Sequence, residues 1–226
     1  MDTKPKLTFK KAFIVVTALI AWFALILQFS LSIPTYLNTG RTLPGAITQL
    51  LSYFTILSNI LIAFSLSAIA LKPDSLSGRY FLRSSVNTAL AVYITIVGLT
   101  YNLILRKAVA LEGFWRLADE LLHVAIPLLY IIYWIFFAPK AALKWQDLYL
   151  GLIFPLVYLI CILIRGAISG YYPYPFMDVN KLGYPTVALH SAGMLLAFVL
   201  VSVLFISIGR YQYKKGLTAN NSSFKL

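Results

Sequence analysis

The sequence predicts an all-α polytopic membrane protein, a bundle of six transmembrane helices, and three observations carry that expectation. Of 226 residues, 60% are hydrophobic and only 12% charged, against about 45–50% and about 25% in an ordinary soluble domain. The mean hydropathy is +0.82. Six separate runs reach the ~20 mostly apolar residues that a spanning helix needs. The same figures exclude a soluble cytosolic enzyme, a disordered chain, a collagen and a coiled coil. A single cysteine, Cys161, excludes an intrachain disulfide framework and a cysteine-cluster metal site.

In chain order the runs are Ala12–Ile33, Gly45–Leu71, Ser84–Leu105, Leu117–Ala138, Leu148–Ile168 and Pro185–Ile208. Helix-breaking residues punctuate them: Pro34, the Pro44-Gly45 pair, Pro73 with Gly78, Pro139 and Pro185 lie at or beyond run ends, where helices stop or start. The first run is too long for the apolar core of a cleaved signal peptide, and no small-residue cleavage pattern follows it. We therefore expect one six-helix domain over residues 1–216 and a disordered, polar tail over 217–226.

Lys and Arg fall unevenly on the two sides of these runs. Thirteen lie before the first run, in the second and fourth connections and in the tail; six, Arg41, Arg106, Lys107, Arg116, Arg165 and Lys181, lie on the other side. The positive-inside rule then places both termini in the cytoplasm. A net charge of +12 spread this thinly forms no basic stripe, so no nucleic-acid partner is expected. The partners implied are the bilayer and a lipid. The longest connection on the external side, SGYYPYPFMDVNKLGY over 169–184, is rich in Tyr and Pro. It reads either as an aromatic belt at headgroup level or as a stiff cap over a cavity, with Tyr172 and Tyr174 touching what the cavity holds.

Inside spans the informative residues are the ionisable and polar ones, because burying them unpaired is expensive. The chain has two histidines, and His123 and His190 fall at similar depths from the external end of spans four and six. Asp119 lies four residues before His123 and Glu120 three, so either carboxylate can meet the ring on one helix face. In span two, Thr48, Ser52, Thr55 and Asn59 repeat at intervals of three and four, a polar stripe with Thr55 about 15 Å into the run at 1.5 Å per residue. Threonines in membrane helices commonly bond their own i−4 carbonyl, and Asn59 can act as interhelical glue. A hydroxyl held by a base and the base by a carboxylate is also a nucleophile array: Thr55 attacking, His123 as base, Asp119 or Glu120 orienting it, and Asn59 donating to an oxyanion. Asn102 and Arg165, with His190, would line the substrate side. A metal site from His123, His190 and Asp119 is the rival, without a recognisable ligand spacing; no metal and no cofactor are expected.

The segments Tyr53-Phe-Thr-Ile-Leu-Ser-Asn59 and His123-Val-Ala-Ile-Pro-Leu-Leu129 resemble the two signature segments of the FAR-17a/AIG1-like superfamily, and Tyr172–Pro185, YPYPFMDVNKLGYP, resembles its bacterial branch, the Pr6Pr family. The likeness runs over essentially the whole chain. It implies six spans, a bacterial inner-membrane location and, from the animal members, hydrolysis of fatty acid esters of hydroxy fatty acids by a membrane-embedded threonine and histidine, which fall on Thr55 and His123. His190 and the YPYPF run have no counterpart in those enzymes. A non-catalytic lipid-binding protein or a transporter is the alternative reading of the same residues.

Overall fold

The computed structural model describes the backbone of residues 4–107, 110–141 and 143–223, with side chains over 9–107, 110–141 and 143–216. The segment 217–226, expected to be a disordered tail, lies outside the fully described residues. Among the described residues there is no strand. The chain is an all-α membrane bundle with six helical spans: Phe9–Asn38, Phe54–Leu71, Ser84–Leu105, Gly113–Phe136, Asp147–Ser169 and Val179–Gly216. Six spans bring both ends of the bundle's chain to one face, the terminal end; the 169–184 connection sits at the other, the cap end.

Helix α1 (Lys4–Asn38) runs through Pro34 and is longer than the apolar run alone implied. Span two is the main departure from expectation. Instead of one helix over Gly45–Leu71 it is a short α2 (Leu43–Leu50), a break at residues 51–53, and α3 (Phe54–Leu71). The Thr42 hydroxyl caps α2, a standard N-terminal device. The break divides the polar stripe, so Thr55 opens α3 rather than lying ten residues inside a helix. A small α4 (Leu76–Phe81) leads to α5 (Ser84–Thr100), which ends in a π-helical turn, Tyr101–Leu105. Span four is α6 (Gly113–Glu120), a second π-helical turn (Leu121–Ala125) and α7 (Ile126–Phe136). Then come α8 (Asp147–Ser169), a 3₁₀ turn at Pro175–Met177 and α9 (Val179–Ser223). Gly183, at φ 73°, interrupts the start of α9, so the continuous helix begins close to Pro185, as expected.

Packing follows residue size. The most extensive contact is α1 on α3, where Ala18, Ala21 and Ala24 are buried with Ala63 and Ala70; small side chains let backbones approach where lipid offers no hydrophobic drive. Polar tips tie the helices laterally: Trp22 Nε1 donates to Ser67 Oγ (3.0 Å), Trp134 Nε1 to Thr88 Oγ1 (3.1 Å) and Tyr130 Oη to Asn87 Oδ1 (3.3 Å). At the terminal end the Lys140 ammonium donates to the carbonyls of Trp134 and Ala138, satisfying the exposed end of α7.

The Tyr- and Pro-rich connection folds back as a cap. It leaves α8 through Gly170 at φ 69°, a left-handed position that glycine adopts without strain. Tyr172 and Met177 are buried. The ring of Tyr172 packs so closely on Gly166 of α8 that a Cβ there would clash with its ring carbons. Gly193 on span six has open space around the same position. Gly166→Ala is expected to lower thermal stability by about 1–3 kcal/mol through overpacking and to loosen the cap, while Gly193→Ala leaves both unchanged; thermal unfolding in detergent with limited proteolysis of the cap checks this, and equal behaviour of the two variants contradicts it.

Candidate active site

Beneath the cap lies a cavity of about 90 Å³. Its floor is aromatic: Phe54 and Phe198 line it, and Phe54 packs against Tyr93, Phe154 and Phe198 with ring centroids 5.5–6.1 Å apart. Tyr174, Phe176 and Met177 of the cap form its roof, and Thr55 and His123 both reach its wall. The two residues singled out from chemistry in different spans therefore face one space.

The break in span two takes the Thr55 hydroxyl away from the backbone carbonyl it would serve inside a helix. Thr17, Thr35, Thr88 and Thr95 each donate to the carbonyl four residues earlier, the bland role of a threonine in a membrane helix. Thr55 is the second residue of α3, with Tyr53 as N-cap, and no helical turn precedes it. The first N–H groups of a helix have no intrahelical acceptor. Here the Thr55 N–H donates to the Tyr174 phenol oxygen (3.4 Å). Burial raises the pKa of Tyr174, and hydrogen bonds with the Thr55 side chain and backbone pull it partly back.

His123 sits in the π-helical turn of span four. Its Nδ1 faces the carbonyl oxygen of Asp119 at 2.9 Å and the carboxylate Oδ1 of Asp119 at 3.0 Å. A carbonyl only accepts, so Nδ1 carries a proton, and in the neutral ring the lone pair lies on Nε2. Tyr101 stacks on the imidazole with centroids 4.1 Å apart and an interplanar angle of 17°, and its hydroxyl donates to Asp119 Oδ2. The ring is thus held on its edge and on its face. The two π-helical turns meet here: Asn102 donates to the carbonyls of Gly98 (2.8 Å) and His123 (3.4 Å), and a Cβ on Gly98 would come within 3.2 Å of the His123 carbonyl. Such turns in helices recur at functional positions.

Of the two carboxylates left open by the sequence, Asp119 takes the ring. Glu120 pairs instead with Arg106, which also donates to Asn102 Oδ1 (2.6 Å); being three residues from His123 was not enough, because its side chain turns to the guanidinium. Asn59 is fully buried and does not line the cavity. Its amide donates to the carbonyls of Thr55 (2.8 Å) and Leu122 (3.3 Å), so both donors are committed to structure and the expected oxyanion role is not met. Asn102 and Arg165 do not line the cavity either. Arg165 bonds Gln49 Oε1 (3.3 Å) and lies over the Tyr171 ring (5.0 Å). His190 is likewise off the wall: its Nδ1 meets the Phe176 carbonyl at 2.9 Å and holds the cap. Tyr172 packs on Gly166 rather than on the cavity, whereas Tyr174 lines it. With His190 committed elsewhere, the three-ligand metal set is not assembled, and among the described residues no three His, Cys, Asp or Glu side chains gather as a metal site.

Sequence reasoning missed Tyr101, Tyr158 and Tyr53. Tyr158 donates to the Ser52 carbonyl (2.8 Å), satisfying part of the broken backbone ahead of α3, and the Tyr53 and Tyr171 hydroxyls bond each other beside it (2.8 Å). The available signal was that a tyrosine inside a span needs a partner for its hydroxyl. No protein-family model, curated protein or solved structure matches this chain.

Both histidines present Nδ1 to a backbone carbonyl. Nitrogen-15 spectra of histidine-labelled protein, recorded where the rings are neutral, are expected to show the Nδ1–H tautomer for both. An Nε2–H signal assigned to His123, through its loss in His123→Ala, contradicts the orientation described.

Proposed function

We propose that the protein is an intramembrane hydrolase of lipid acyl esters, with Thr55 as nucleophile and His123 as general base. The observation that supports it best is the shared cavity wall: a hydroxyl relieved of its usual backbone bond, and an imidazole whose Nδ1 is fixed by Asp119, leaving Nε2 as the basic nitrogen. In this reading Nε2 takes the Thr55 proton as Oγ1 attacks the ester carbon. The Asp119 carboxylate stabilises the imidazolium that forms. The oxyanion develops at the start of α3, where the positive end of the helix dipole and the Tyr174 hydroxyl lie. The imidazolium then protonates the leaving alcohol, and water, activated by the same nitrogen, releases the fatty acid from Thr55. The resemblance of the Tyr53–Asn59 and His123–Leu129 segments to the FAR-17a/AIG1-like hydrolases points the same way, and the positive-charge bias would put the cap end outside the cell.

The purified protein in proteoliposomes should release fatty acid from a long-chain ester. Thr55→Ala and His123→Ala are expected to lower kcat by at least the ~10²–10⁴-fold typical of losing acid–base help, and Glu120→Gln to stay within a few-fold of wild type. Equal rates in wild type and both alanine variants overturn the assignment, and an intact lipid recovered with the protein would then mark a lipid-binding function.

A further inference from the structure

The cavity is small for a lipid. About 90 Å³ is less than the roughly 150 Å³ apolar cavity that accommodates a benzene ring. A long acyl chain therefore enters only in part, and the rest must leave through an opening. Four sides are closed by particular contacts. The aromatic cluster of Phe54, Tyr93, Phe154 and Phe198 shuts the floor. The cap shuts the roof, tied down through His190 to the Phe176 carbonyl. Tyr101 stacked on His123 seals spans three and four. Tyr158, donating to the Ser52 carbonyl, seals span five against the start of α3.

The remaining side is marked by exposure. Of the side chains on the cavity wall, the two that are exposed are Leu156 of span five, at 40%, and Leu195 of span six, at 37%. They lie within one turn of the floor aromatics Phe154 and Phe198 on neighbouring helices joined by the cap. Span five is also the least embedded helix, with 17% of its apolar window buried against 56% for span two. A side chain that both lines a cavity and faces the bilayer marks the place where the two are continuous.

We infer that the cavity opens sideways into the cap-side leaflet through a window between spans five and six, framed by Leu156 and Leu195, and that its ligand is a single acyl chain of a membrane-resident amphiphile. The polar end of that chain lies between Thr55 and His123, and its hydrocarbon trails through the window into lipid. Apolar walls at the window match a chain and leave no partner for a charged headgroup. The inference rests on the hydrolase reading only for the identity of the bond held at Thr55; the route stands apart from turnover.

The test uses the full chain in phosphatidylcholine vesicles containing a long-chain fatty acid with a diazirine close to its carboxyl end. After illumination, the label is mapped by peptide mass spectrometry. Wild type should be labelled at Met177 and Met194, which line the cavity, as well as at lipid-facing positions such as Ile164. Leu195→Trp, which fills the window, should cut labelling of the two methionines several-fold without changing that of Ile164; Leu195→Ala should retain it, showing that a change at 195 does not by itself disrupt the bundle. Absence of label from both methionines in wild type, or equal labelling in Leu195→Trp, overturns the window. Labelled methionines without ester hydrolysis would end the hydrolase reading and leave the window standing; hydrolysis without such labelling would do the reverse.

Discussion

One buried amide holds the two halves of the site in register. Asn59 Nδ2 donates to the carbonyl of Thr55 and to that of Leu122, the residue before His123. A hydrogen bond in a dry interior is strengthened by the low dielectric, and a buried polar group left without its partner costs about 1–3 kcal/mol. The backbone that carries the hydroxyl and the backbone that carries the imidazole are therefore coupled through one side chain. This makes Asn59 a positioning residue for the two backbones it joins, and its Oδ1 is buried without a hydrogen-bond partner, a cost that the clamp carries.

Around that clamp spans two, three and four each depart from regular α-helix near the cavity. Span two breaks at residues 51–53; spans three and four each widen into a π-helical turn. Each irregularity has a chemical consequence. The break places Thr55 at a helix start, where its hydroxyl has no preceding carbonyl to serve. The π-helical turns bring Tyr101 face to face with His123 and let Asn102 reach the His123 carbonyl. The phenols of Tyr158 and Tyr174 meet the polar backbone that the break leaves exposed, which is the condition for non-helical chain at membrane depth. Outside this region the bundle is held by conventional means: alanine faces between α1 and α3, and aromatic tips bonded to Thr and Asn on α5.

The six spans were legible in the sequence because hydropathy over about 20 residues is a bulk property. The i, i+4 spacing also sufficed to bring Asp119 to His123, since both lie on one helix. What sequence spacing could not resolve was rotamer choice and interhelical contact. Glu120 had nearly the same claim on the ring as Asp119, and the competing Arg106 comes from another helix. Asn59 looked like a free donor because the Leu122 carbonyl that engages it is 63 residues away. His190 shared a depth with His123 but turns to the cap, whose fold no local pattern announces. The break at 51–53 was hidden because Leu51, Ser52 and Tyr53 carry no helix-breaking residue; the signal was the three-dimensional supply of phenols from α8 and the cap.

The central claim is that Thr55 carries the reactive hydroxyl and that His123 activates it. A fluorophosphonate bearing an alkyl chain tests it most directly, because it forms a stable adduct with an activated hydroxyl and the adduct can be located by peptide mass spectrometry. The account predicts phosphonylation at Thr55 in the wild-type protein and its loss in His123→Ala. An adduct on another hydroxyl lining the cavity, such as Ser191, or labelling of Thr55 undiminished without the imidazole, would contradict it.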